Sequence, residues 1–256
     1  VLEGMDETLG HIREQFPEAF SHCEEVFHLG KRTLDALCES TDRSEDQLPG
    51  TVCIAALTKL LRQHLSVCLL CERGLADEAE LLMRAMFEVV ITVRGLLRRD
   101  IRLPTGAPEQ NPSIEMRARL IVAKGVVADE KWLRLAGQET KCDVPAEAHR
   151  AATSRVATIE NEIGEAWIEW VGKRSSHFGL SVEGLARQVE MGDYYHSAYR
   201  PQSMGGHSSD LDRFVVASDK SRTGKRGDAE YRLSPDCDSA PSILNLANEL
   251  VCTTLL

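Results

Sequence analysis

What this 256-residue chain has little of narrows its class first. Aromatic residues are only 5%, too few for a β-sandwich and sufficient for a helical protein. No run of about 18 apolar residues occurs, and the richest apolar stretch is interrupted by Arg84, Glu88 and Arg94, so no membrane helix is expected. Basic residues are outnumbered, 30 Lys+Arg against 40 Asp+Glu, for a net charge of −10. That balance excludes a protein that coats nucleic acid by charge alone, but not one with a local basic site. There is no internal repeat, no low-complexity tract and no phosphate-binding glycine loop. No secretory leader precedes the eight cysteines, Cys23, Cys38, Cys53, Cys68, Cys71, Cys142, Cys237 and Cys252. Most lie inside apolar helical patterns, which reads as reduced thiols in a cytoplasmic protein. Residues 1–4, ahead of Met5, read as a vector remnant.

What is there is ordinary for a globular chain: 43% hydrophobic and 27% charged residues, enough to build a core. Apolar residues recur at helical spacing over 6–39, with a break at Pro17, and again over 51–73 up to Gly74. A third helix over 77–99 is apolar on more than one face and belongs at the centre of a bundle. The short link between the second and third favours an antiparallel hairpin. Further helices are expected over 113–136, 146–171, 181–190 and 239–256, with loops over 40–50 and 101–112. Residues 213–217 and 229–233 read as a small β-hairpin across a basic turn. The expectation is an all-α multi-helix bundle with that hairpin near its C-terminus. Residues 5–256 form one helical domain, with a core over about 51–210 and the hairpin and last helix over 211–256.

Three of the four tyrosines crowd into 193–210, with Tyr195, Tyr199, Arg200, Ser203 and His207 within a few turns of chain. An arginine and a histidine close together suit phosphodiester cleavage. The guanidinium holds a phosphate oxygen through two prongs, and imidazole moves a proton near neutral pH. Six residues separate Arg200 from His207, a loose spacing that equally fits a surface loop pinned by its tyrosines. Arg84 and Glu88 share one face of the third helix and read first as a structural ion pair, one able to orient the tyrosine-rich segment. His64, Cys68 and Cys71 fall at i, i+4 and i+7, a ligand-like face. No second Cys-x-x-Cys follows, so buried core thiols are expected and no metal or cofactor. The basic run at 220–226 reads as a solvated hairpin tip or a nucleic-acid contact. Residues 173–177 read as a cationic cap on the fifth helix.

Taken in order, several short motifs resemble a bacterial family, the domain of unknown function five-six-seven-seven. They are Met83-Arg84-Ala85-Met86-Phe87-Glu88, Trp170-Val171-Gly172-Lys173, Leu185-Ala186, Tyr195, and Tyr199-x-x-x-Ser203-x-x-x-His207, covering about residues 50–210. That family is similar to the HEPN superfamily of helical domains, many of them metal-independent ribonucleases of toxin–antitoxin and phage-defence systems. The resemblance implies that Arg200 holds the phosphate and His207 acts on a ribose 2′-OH. Tyr195, Tyr199 and Ser203 would position RNA, with Arg84 and Glu88 in support. It also implies a homodimer, RNA as substrate, and an antitoxin or other partner protein. Pro201 directly after the arginine departs from the superfamily pattern, and with Gly205 and Gly206 it argues against one unbroken helix. The alternative is a non-catalytic helical module that binds a protein partner or nucleotide through the same segment.

Overall fold

A computed structural model describes residues 11–40, 47–139, 145–200, 215–217, 229–231 and 238–255. The fold is all-α, as the apolar spacing predicts. After a helical turn over 11–15, a bend at Phe16 precedes α1 (Pro17–Ser40), so the break falls at Pro17 as expected. There follow α2 (Leu48–Glu72), α3 (Ala76–Leu97), α4 (Ile114–Glu139) and α5 (Ala146–Ile163). The chain continues through α6 (Glu165–Gly172) and α7 (Val182–Gln188), and ends in α8 (Ala240–Leu255). Two short strands, β1 (Val215–Ala217) and β2 (Ala229–Tyr231), pair antiparallel with Val216 opposite Glu230. That is the hairpin read from sequence; the basic run 220–226 lies outside the described residues.

By length and composition α2 could cross a bilayer, although the sequence pointed to 84–94 as its richest apolar stretch. A buried core helix and a signal sequence pass the same test; 28% of this helix's apolar window is buried, and it includes the fully buried His64.

The chain divides into two compact units. The first takes Val1–Cys38, Ala55–Val90 and Asp193–Leu256; the second takes Glu39–Ile54 and Ile91–Gly192. In the first, α1 and α2 meet where Gly30 faces Leu61. A Cβ at residue 30 would lie 2.5 Å from Leu61 Cδ2, so any other residue here would force the Leu61 side chain to move. From α3, Met83, Met86, Phe87 and Val90 are buried in this unit, and α8 adds Leu244, Ala247 and Leu250. The four α3 residues fall at i, i+3, i+4 and i+7, one face of the helix, and Leu81 is 51% exposed, so within this unit α3 buries a single stripe rather than the several faces expected.

In the second unit α4 packs against α5 and α6. The single helix expected over 146–171 is two helices, because Gly164 takes a φ of 89°, which ends α5 and starts α6. The expected cation cap from 173–177 is also corrected. Lys124 of α4 donates to the carbonyls of Val171 and Arg174 at the end of α6. Lys173 instead pairs with Glu169, and Arg174 lies over the Trp170 ring. Arg117, only 3% exposed, closes the end of α3 by donating Nε to Leu96 O (3.1 Å) and Nη1 to Pro112 O (2.8 Å). After α7 the chain turns through Glu190 at φ 61°, a left-handed conformation rare outside glycine. The Met191 N–H bonds back to Ala186 O, and Arg98 holds the Glu190 carboxylate at 2.7 Å.

Candidate functional site

The tyrosine-rich segment is helical where it is described. Residues Gly192–Tyr194 form an α-turn that widens into a π-helical turn over Tyr195–Tyr199. The Arg200 N–H reaches back five residues to Tyr195 O, the bond that defines such a turn. No sequence pattern announced it. The turn brings the Tyr195 and Tyr199 rings into a stack with centroids 5.3 Å apart. Phe87 of α3 receives both Tyr194 (5.3 Å, nearly parallel) and Tyr199 (5.0 Å). The Tyr194 hydroxyl donates to Leu246 O on α8, which ties the segment down at both ends.

Arg84 and Glu88 meet this segment through one atom. The buried Tyr199 donates its hydroxyl to Glu88 Oε1 at 2.8 Å and accepts from Arg84 Nη2 at 3.4 Å. The Arg84 guanidinium also sits 5.3 Å from the Tyr199 ring centroid, in cation–π contact. Its Nε is buried and has no hydrogen-bond partner among the described residues. Burial, followed by the opposed influences of Arg84 and Glu88, raises the Tyr199 pKa, so the hydroxyl stays a neutral donor. Burial likewise pushes Tyr194 up. Arg200 follows directly, exposed and in helical conformation. Four of the expected site residues, Arg84, Glu88, Tyr195 and Tyr199, therefore form one network that ends at Arg200. Ser203 and His207 lie outside the described residues.

A second cluster gathers in the same unit. On α2, His64 is fully buried and Cys68 half-buried. The sequence reading paired them with Cys71, but the third member is Cys23 from α1. The Cys23 and Cys68 sulfurs and a His64 ring nitrogen lie within 4.8 Å of one another. The Cys68 Sγ is 4.0 Å from His64 Nδ1, while His64 Nε2 is 2.8 Å from Asn248 Oδ1 on α8. A carbonyl oxygen only accepts, so Nε2–H donates to Asn248, and Nδ1 faces the Cys68 sulfur. Hydrogen bonding from Cys68 holds the Cys23 thiol below its ordinary value against the opposing effect of burial, with His64 assisting. Cys68 moves the other way, raised by Cys23 and by burial. Cys23 is thus the more acidic thiol of the pair. A cavity of about 130 Å³ opens on all three, walled by Phe20, Phe27 and Leu69. Arg13, which bonds to both Glu24 and Glu72, also lines it. Neither Cys23 nor Asn248 is visible from spacing, because both come from other helices.

Residues 50–222, more than half of the chain, match a family described as a family of unknown function (DUF5677). The chain belongs to that family. The match spans all of α3 and the Tyr195–Tyr199 turn, the segments on which the motif resemblance rests. Neither the curated proteins nor the solved structures contain a match to this member.

Proposed function

We propose that this family member is a cytoplasmic, HEPN-like protein that cleaves RNA without a metal ion, as a homodimer acting in stress response or phage defence. The observation that carries the reading is the exposed Arg200 at the end of a turn anchored by the Tyr199–Glu88–Arg84 network. An anchored backbone presents a guanidinium to phosphate with little ordering left to do. In the proposed step the ribose 2′-oxygen attacks the adjacent phosphorus and the bond to the 5′-oxygen breaks. The products are a cyclic 2′,3′-phosphate and a 5′-hydroxyl. Arg200 holds a non-bridging oxygen, and His207 moves the proton between the entering or leaving oxygen and solvent. Tyr195 and Ser203 hold the RNA backbone or stack a base, whereas Tyr199, expected to do the same, is buried and anchors the turn instead.

Purified protein is expected to cut an RNA oligonucleotide and to spare the same oligonucleotide carrying a 2′-deoxy sugar at the scissile position. His207→Ala should slow cleavage by about 10²–10⁴-fold while the circular dichroism spectrum stays helical. Intact RNA with the wild-type protein, or equal cleavage by His207→Ala, would refute the assignment. A second reading, a non-catalytic module that binds a protein partner or nucleotide, draws on how fully Arg84, Glu88 and Tyr199 engage one another. It predicts RNA or nucleotide retention that Arg200→Ala weakens, with no product formed.

A further inference from the structure

We propose that Cys23, His64 and Cys68 form a zinc site, with two sulfurs and Nδ1 as donors and the fourth coordination position open to the adjoining cavity. Three observations converge on it. The donor set is two thiols and an imidazole, the soft-to-borderline combination that selects zinc over magnesium or calcium. The three donor atoms lie within 4.8 Å of one another, and the Cys68 sulfur is 4.0 Å from His64 Nδ1. A tetrahedral zinc with Zn–S of about 2.3 Å and Zn–N of about 2.0–2.1 Å sets its donors roughly 3.5–3.8 Å apart. Side-chain adjustments of up to about 1 Å close that gap.

The third observation is the partner behind the histidine. Zinc-binding imidazoles hand their other ring N–H to a fixed acceptor, which sets the tautomer and aims the free nitrogen at the metal. Asn248 Oδ1 does this at 2.8 Å from a residue 184 positions away, and both side chains are buried. Any buried histidine needs a partner for its ring N–H; what sets His64 apart is that its other ring nitrogen faces the Cys23 and Cys68 sulfurs.

On binding, each thiol that is still protonated releases its proton to solvent as its sulfur bonds to the ion. Three protein ligands with an open fourth place are the mark of zinc sites that admit water or a small ligand. The cavity of about 130 Å³ has room for that ligand. Nothing in this inference depends on RNA being the substrate.

The test uses reduced full-length protein stripped by chelator, with Co²⁺ as the spectroscopic probe and Zn²⁺ as competitor. Cobalt should bind stoichiometrically, with thiolate-to-cobalt charge-transfer absorption and the intense visible bands of tetrahedral geometry, and zinc should erase both. Cys23→Ser and Cys68→Ser should each abolish these bands. Asn248→Ala should weaken binding by about 10–100-fold, the usual effect of losing the hydrogen-bond partner of a metal ligand. Cys38→Ser, which removes an exposed thiol, and Cys71→Ala should bind as wild type. On the wild-type protein, zinc should protect Cys23 and Cys68 from alkylation and leave Cys38 reactive, a readout independent of how any variant folds. Absence of the charge-transfer band overturns the proposal, as does its survival in both serine variants or unprotected alkylation of Cys23. Loss in Cys71→Ala with retention in Cys23→Ser would return the ligands to α2 alone and overturn it equally.

Discussion

Among the described residues three polar or charged side chains are buried, and the two units use them differently. In the second unit Arg117 directs Nε and Nη1 at backbone carbonyls, closing the end of α3 and the turn before α4. Its bonds stay within the fold, and its role is structural. In the first unit His64 spends one nitrogen on Asn248 and turns the other toward two sulfurs and a cavity. A buried polar group committed to helix ends holds a chain together. One whose second ring nitrogen faces two sulfurs and open space is arranged for something else. The contrast matters because burial alone ranks the two alike.

The contrast can be broken by substitution. Arg117→Ala is expected to have the largest effect, because it strands two buried carbonyls at about 1–3 kcal/mol each. Urea unfolding should show a lower midpoint with an unchanged slope. A loss below about 1 kcal/mol would deny Arg117 its structural role. Asn248→Ala should cost less, about 1–3 kcal/mol for one stranded ring N–H in the metal-free protein. If it destabilises more than Arg117→Ala under the same denaturant, the His64–Asn248 pair is a structural device and the distinction collapses. Tyr199→Phe should be mildest, about 1 kcal/mol, because the ring keeps its contacts with Phe87 and Tyr195 and loses only the hydroxyl bridge. A thermal midpoint identical to wild type would show that the bridge from Glu88 to Arg84 carries no weight.

The helices were legible because each buries one stripe, and a stripe leaves a periodic trace in the sequence. The Pro17 break and the antiparallel strand pair were legible too, from proline and from strand-like runs flanking a turn. The split of 146–171 was not, because glycine inside a helical pattern does not say whether it takes a positive φ, as Gly164 does. The cap on α6 was assigned to neighbours in sequence, whereas the cation comes from Lys124, 47 positions before Val171. The placement of Arg84 and Glu88 on one face was readable from their spacing. The hydroxyl that joins them, from Tyr199, is a tertiary fact. The thiol cluster shows the limit most clearly. Cys68-x-x-Cys71 was the visible pattern, yet the sulfur that joins Cys68 and His64 belongs to Cys23, because helix packing rather than spacing decides which side chains meet.

The π-helical turn has a consequence for engineering. An α-helix advances about 100° per residue, so one extra residue in a turn acts as a phase shift, rotating the downstream chain by that angle. Arg200 is the first residue after it. Deleting one residue from 195–199 would restore α-helical phase and swing Arg200 to a different bearing, with the composition of the segment almost unchanged. The turn is therefore an indexing step, and the direction in which the guanidinium points is set by a count of residues as much as by their kind.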